Sequence, residues 1–273
     1  MSQSMLLGFL SGLIQGVTEW LPVSSKTMLF FVFYLWSLSP SDSYLLSLLL
    51  NGSTVVAASI YFRRELLRML RLPTKIDDAS FNLLIFLIIS TIVTGILGIL
   101  LSTLSINLLV MLRTSYALIF IGFMLFVTAL LNWWRMKIKS IRKSINDVNI
   151  PDALIAGIAQ SFSILPGISR SGVTMLALLL RGYDVKDSLI ISFLMSIPAT
   201  LGGSIYAYIV SPRIFEFLGL TEIFLSFSTA TITSLATINI LLRLSQKFKS
   251  HIFLSGLSII TIIHGLVMSG NHI

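Results

Sequence analysis

The sequence contains no cysteine. That excludes a disulfide framework, a thiolate nucleophile and a thiolate metal site, and it leaves the redox compartment unread. Any hydrolytic chemistry must therefore use oxygen, nitrogen or a borrowed metal. Histidine is nearly as scarce: His251, His264 and His272 all lie close to the C-terminus. Charge is also short, at 11% of 273 residues, where a soluble domain carries about a quarter. Apolar residues fill the gap, at 55% of the chain with a mean hydropathy of +0.94. Stretches 79–101, 116–133 and 217–242 approach or exceed the roughly 20 apolar residues that cross a hydrocarbon core of about 30 Å. These features predict an all-α, multi-pass membrane protein forming a single integral membrane domain over 1–273. Segment 5–20 has no basic leader or small-residue cleavage site and carries Gln15 and Glu19. It is expected to belong to the mature protein.

The net charge of +8 raises nucleic acid as a partner, but the positions of the cations argue against it. Arg63, Arg64, Arg68, Arg71 and Lys75 form one cluster, Arg135, Lys137, Lys139, Arg142 and Lys143 a second, and Arg243, Lys247 and Lys249 a third. All three fall in short connections between apolar spans, which places them on the cytoplasmic side. The loop 101–113 and His272 are then expected outside.

Two pairs of segments match within the chain. Gly12-Leu13-Ile14-Gln15 followed by Leu21-Pro22-Val23-Ser24-Ser25 resembles Gly157-Ile158-Ala159-Gln160 followed by Leu165-Pro166-Gly167-Ile168-Ser169. Downstream, Ser47, Leu49, Ser59, Ile60 and Tyr61 recur as Ser192, Leu194, Ser204, Ile205 and Tyr206. The offset is 145 residues (Tyr61 to Tyr206), with a slip of one before the prolines. Repeat 1 spans about 1–110 and repeat 2 about 150–250. Each Pro-Ser break has a short apolar arm on either side. Proline removes a donor and disfavours helix before it, and lipid cannot satisfy the backbone groups left over. Both stretches are therefore expected to be re-entrant hairpins whose tips meet. Six crossings accompany them, near 44–62, 79–101, 115–133, 185–210, 217–242 and 252–268. With the basic loops all on one side, the two repeats run in opposite directions. Inverted repeats with broken helices commonly place a binding site at their junction.

An ionisable side chain in an apolar segment is costly and marks a functional candidate. Glu19 and Arg170 each lie within six residues of a break. The run Pro166-Gly167-Ile168-Ser169-Arg170-Ser171-Gly172-Val173-Thr174 suits phosphate: Ser169, Ser171 and Thr174 supply hydroxyls, a helix opens there, and the guanidinium offers a bidentate fork. A structural alternative is an Arg-Glu pair that only joins two hairpins. Gln15 and Glu19 stand one helical turn apart on one face, where Glu19 can serve as a general base or help hold a divalent cation such as Mg2+ or Ca2+. Ser24 and Ser25 offer a hydroxyl nucleophile, or act only as caps and packing groups.

The first hairpin, Gln15-Gly16-Val17-Thr18-Glu19-Trp20-Leu21-Pro22-Val23-Ser24-Ser25, taken with the 166–174 run, resembles the two signature motifs of the undecaprenyl-pyrophosphate phosphatase family of the bacitracin-resistance type. The likeness continues through Arg181-Gly182-Tyr183-Asp184 and Ser192-Phe193-Leu194-Met195-Ser196-Ile197-Pro198 and covers nearly the whole chain. It implies a membrane hydrolase that converts a polyprenyl diphosphate, of undecaprenyl or dolichyl type, to the monophosphate and so recycles a glycan carrier lipid. The implied fold is two inverted repeats in the cell membrane with a cleft opening to the outer face. Gln15 and Glu19 match the family's glutamate-rich motif, Ser25 a serine proposed as nucleophile, and Ser169, Arg170, Ser171 and Thr174 its phosphate-binding motif. The family pattern usually continues with threonine, glycine and histidine, where this chain has Lys26, Thr27 and Met28. Three outcomes stay open: Ser25 attacks with Glu19 as base, a metal-bound water attacks, or hydrolysis is lost. Lys26 can add a cation beside the diphosphate or snorkel toward headgroups. The competing function is a lipid-phosphate translocator that grips the headgroup without cleaving it. Prenyl chain length and oligomeric state have no sequence signal.

Overall fold

The computed structural model describes residues 2–69, 77–138, 143–212, 217–247 and 249–270. Arg71, Lys75, Lys139, Arg142 and His272, which entered the loop assignments, lie outside the described residues. Capping residues set where the helices begin. The side chains of Ser39, Asp77, Asn149, Ser169 and Asp184 each accept a first-turn amide, and this satisfies donors that a helix start leaves open.

The chain builds α1 (Gln3–Thr18), α2 (Ser25–Leu35), α3 (Pro40–Asn51), a 3-10 turn (Gly52–Thr54), α4 (Val55–Tyr61), α5 (Arg63–Met69), α6 (Asp78–Met111), α7 (Thr114–Arg135), α8 (Ile150–Ser161), α9 (Arg170–Leu180), α10 (Val185–Val210), α11 (Leu220–Lys247) and α12 (Ser250–Gly270). Among the described residues six segments are long and apolar enough to span a bilayer: Pro40–Tyr61, Asp78–Met111, Thr114–Arg135, Val185–Val210, Leu220–Ile240 and Ser250–Gly270. They fall where the hydropathy placed them. One expectation needs correction, because 101–111 is helix and not loop. Its polar residues do not break the helix, since Thr103 and Ser105 return their hydroxyls to the carbonyls of Ile99 and Leu101. Only Leu112 and Arg113 separate α6 from α7.

Lipid supplies no hydrophobic force between helices, so close packing over small residues and hydrogen bonds must hold them together. Gly8, Gly12 and Gly16 of α1 lie in turn against Glu222, Ser226 and Ala230 of α11, close enough that a Cβ on Gly12 would come within 2.5 Å of the Ser226 carbonyl. The two helices therefore run parallel. Gly157 of α8 lies in the same way on Ser90 and Val93 of α6. Gly122 of α7 meets Ser258 and Ile262 of α12, and Gly265 of α12 meets Ser115 and Ile119 of α7.

These contacts answer one another across the two sequence halves. The parallel pairing also fixes where each hairpin enters. α8 starts beside the N-terminal end of α6, near the basic residues of α5, whereas α1 starts beside the N-terminal end of α11, at the opposite face. Hairpins α1–α2 and α8–α9 thus enter from opposite faces, as an inverted duplication requires.

Candidate active site

Both hairpins break at the proline, and their tips meet in the interior. α1 ends at Thr18 with Glu19 as its C-cap, and α2 resumes at Ser25 after Pro22. α8 passes through a 3-10 turn (Phe162–Ile164), and α9 resumes at Arg170 after Pro166. Ser24 sits between the tips with φ 61°, ψ 78°, a left-handed conformation that non-glycine residues seldom hold and that concentrates at functional loops. Its hydroxyl donates to the Ile168 carbonyl at 3.3 Å and lies 2.8 Å from the Thr27 hydroxyl.

Glu19 is the centre of the arrangement. Its Oε1 accepts from Arg170 Nη2 at 2.5 Å. Its Oε2 accepts from Ser25 Oγ at 2.6 Å and from Gln15 Nε2 at 2.9 Å. Arg170 Nη1 also donates to the Ser192 carbonyl at 3.3 Å, and the guanidinium lies over the Phe193 ring, which packs against Trp20. All these side chains are buried, so the carboxylate and guanidinium each depend on the other to offset lost solvation.

Lys26 does not snorkel. It is buried at the hairpin tip and its Nζ donates to the Ser163 carbonyl. Lys26 stands four residues after Pro22 as Arg170 stands four after Pro166, and Glu19 and Ser163 each precede those prolines by three. Each cation therefore reaches the matching position on the opposite hairpin.

A chamber of about 20 Å³ between the tips is lined by Glu19, Ser24, Ser25, Lys26, Asn51, Ser169, Arg170 and Ser171. The starts of α2 and α9 both open on it, so two helix dipoles favour an anion there. Thr174 is not among the lining residues. It lies one turn into α9, where its hydroxyl donates to the Arg170 carbonyl at 2.8 Å and sits 2.5 Å from the Ser192 hydroxyl. These contacts tie the first turn of α9 to α10. His251 and His264 lie on α12, and neither lines the chamber.

Three supporting residues escaped the sequence reading. Asn51 Oδ1 accepts from Gln15 Nε2 at 2.7 Å and from Ser25 Oγ at 3.2 Å, so it orients the serine. Its signal was the polar run Asn51-Gly52-Ser53-Thr54 inside an apolar span. On α7, Thr128 donates to the Gly167 carbonyl at 2.8 Å and accepts from the Ser169 amide, while Asn132 donates to the Pro22 carbonyl at 2.9 Å. Thr128 and Asn132 form an i, i+4 polar pair on one face of α7 and hold the second and first tips respectively. Gly167 has φ +97°, and a Cβ there would come within 2.5 Å of Met124 Cβ and 2.9 Å of two α7 backbone atoms. Gly167→Ala is expected to destabilise the fold by about 2 kcal/mol or more, read as a lower unfolding midpoint in detergent.

A divalent cation fits this donor set in a limited way. Glu19 is the one carboxylate on the chamber, and Gln15 Oε1 is buried without a hydrogen-bond partner among the described residues. No group of three or more His, Cys, Asp or Glu side chains gathers among the described residues. Such a set suits an ion that takes most of its ligands from substrate phosphates and water.

The family model described as bacitracin resistance protein BacA matches residues 8–266. The chain belongs to the bacitracin resistance protein BacA family. It is 34% identical over 251 residues to a protein of Saccharolobus islandicus named undecaprenyl-diphosphatase, covering 89% of each chain. A protein of the same name from Methanothrix thermoacetophila is 35% identical over 260 residues, covering 92% of this chain and 93% of its own. Another from Methanococcoides burtonii is 34% identical over 261 residues, covering 92% and 95%. The family match takes in both hairpin tips and every residue of the chamber.

Proposed function

We propose that this BacA-family chain removes the terminal phosphate of undecaprenyl diphosphate or a close polyprenyl homologue, yielding the lipid monophosphate and inorganic phosphate. The observation that carries the reading is the Ser25 hydroxyl held 2.6 Å from Glu19, with Glu19 tied across the tips to Arg170. A hydroxyl, a base within reach of its proton and a cation beside them make up the machinery of nucleophilic phosphoryl transfer.

In this mechanism Ser25 Oγ forms a bond to the terminal phosphorus as the bond from phosphorus to the bridging oxygen breaks. The Ser25 proton passes to Glu19 Oε2 and from there to the bridging oxygen as the polyprenyl monophosphate leaves. Water then attacks the phosphoserine and gives a proton to Glu19, which returns it to Ser25 Oγ as that oxygen leaves phosphorus and inorganic phosphate departs. Charge builds on oxygens that Arg170, Lys26 and the hydroxyls of Ser24, Ser169 and Ser171 can meet. Asn51 keeps the Ser25 hydroxyl aimed. A divalent cation arriving with the diphosphate would take Glu19 as its protein ligand on the chamber, with Gln15 supporting that carboxylate from behind, and would neutralise phosphate charge.

The chamber holds little more than a water, so phosphate must draw Lys26 from Ser163 or Arg170 from Glu19 to enter. The names of the relatives favour hydrolysis over translocation. A cell-membrane location with the cleft opening outward is part of the same reading. It is supported by α1 entering from the face opposite the basic residues of α5.

The test is phosphate release from undecaprenyl diphosphate by purified protein in detergent. Glu19→Gln should lose nearly all turnover. Met28→Ala should keep kcat within about twofold, because the reaction assigns no proton transfer to that position. Absence of release by the unaltered protein, with and without a divalent cation, would overturn the reading.

A further inference from the structure

The reciprocal packing makes a position-by-position comparison of the two halves possible. Gly12 sits on Ser226 and Thr229 as Gly157 sits on Ser90 and Val93, which aligns α11 with α6. The same step pairs Asn239 with Thr103. Tyr61 donates to Asn239 at 2.9 Å, and Tyr206 lies 3.1 Å from the Thr103 hydroxyl. Two seams therefore correspond, α4 with α11 and α10 with α6.

One of them is closed. Thr231 Oγ1 donates to the Ser53 carbonyl at 3.0 Å, Ser234 Oγ to the Gly16 carbonyl at 3.2 Å, and Ala57 and Ala58 are buried. In the other, the matching positions are all glycine: Gly95, Gly98, Gly202 and Gly203. A Cβ on Gly95, Gly98 or Gly202 would meet nothing within 4 Å. Packing does not require glycine there, and glycine is unfavourable inside a helix. What the glycines leave is a mostly apolar cavity of about 200 Å³ between α6 and α10 that reaches Lys26, Asn51 and Arg170. At its polar end lies Gln160, 1% exposed, with Oε1 lacking a hydrogen-bond partner among the described residues. A buried acceptor without a partner is costly unless an occupant serves it. Its amide can also turn to present donors. The fitting occupant is amphipathic, with an anionic head and an apolar chain.

Resting on the diphosphate reading above, we infer that the seam between α6 and α10 is a lateral portal. The isoprenoid chain of the substrate lies along Gly95, Gly98 and Gly202 and runs out into the lipid, while its diphosphate meets Lys26 and Arg170. The corresponding seam between α4 and α11 stays shut, so the chain leaves on one side only.

Two measurements test the portal. In the first, Gly98→Phe fills the seam, and undecaprenyl and farnesyl diphosphates are compared. The ratio of kcat/KM for the long substrate to that for the short one should fall by about tenfold. An unchanged ratio would overturn the portal. In the second, Gly98→Cys in this cysteine-free chain is reacted with a membrane-permeant maleimide. Undecaprenyl monophosphate should protect it and inorganic pyrophosphate should not, with Ile96→Cys on the exposed side of α6 labelled in every case. Labelling unaffected by the lipid would also overturn the portal. Protection in a protein that hydrolyses neither substrate would defeat the hydrolase reading and leave the portal standing.

Discussion

Arg170→Ala is expected to lower kcat/KM for undecaprenyl diphosphate by roughly a hundredfold or more, about 3 kcal/mol of transition-state stabilisation. The guanidinium is a cation that both fixes the base and faces the arriving phosphate. It holds Glu19 Oε1 at 2.5 Å, and it lines both the small chamber and the larger cavity. Removing it leaves Glu19 buried without its counter-ion, which also costs stability. Unfolding midpoints recorded beside the rates separate the two effects, since a purely structural pair would lose stability with little change in the rate of the folded fraction. Arg170→Lys keeps a charge but loses the fork, so it should recover part of the rate. An Arg170→Ala protein that turns over normally would reduce the pair to a hairpin clamp.

Ser25→Ala is expected to be the more damaging change, lowering kcat by at least about three orders of magnitude. The substitution deletes one hydroxyl from a small, buried side chain. The helix that begins there should remain, because Ser25 is its first residue and not its cap. Substrate binding should survive in the variant, measured as retention of labelled undecaprenyl diphosphate. If Ser25→Ala keeps substantial activity with a divalent cation present, a Glu19-oriented water is the nucleophile.

The spans and the two breaks were legible because lipid imposes strict demands on sequence. A spanning helix must be long and apolar, and a proline within one needs protein around it. Glu19 and Arg170 stood out for the same reason, as charges in segments where charge is costly. The continuation of α6 to Met111 was hidden because hydroxyls that bond back to their own helix look like a loop in composition. Asn51, Thr128 and Asn132 carry no charge, so their cost in an apolar span is lower and their signal weaker. That Lys26 reaches Ser163 as Arg170 reaches Glu19 required knowing that the tips meet. The glycine seam was invisible because four glycines in apolar helices read as packing residues until their neighbours are known.

The most direct test of the central claim is the stereochemical course at phosphorus. The substrate is undecaprenyl diphosphate whose terminal phosphate is made chiral with sulfur and oxygen isotopes, hydrolysed by the unaltered protein in isotopically labelled water. Attack by Ser25 followed by attack of water on the phosphoserine inverts the centre twice, so the account predicts net retention in the released thiophosphate. Net inversion would mean a single displacement by water, and would contradict the role given to Ser25.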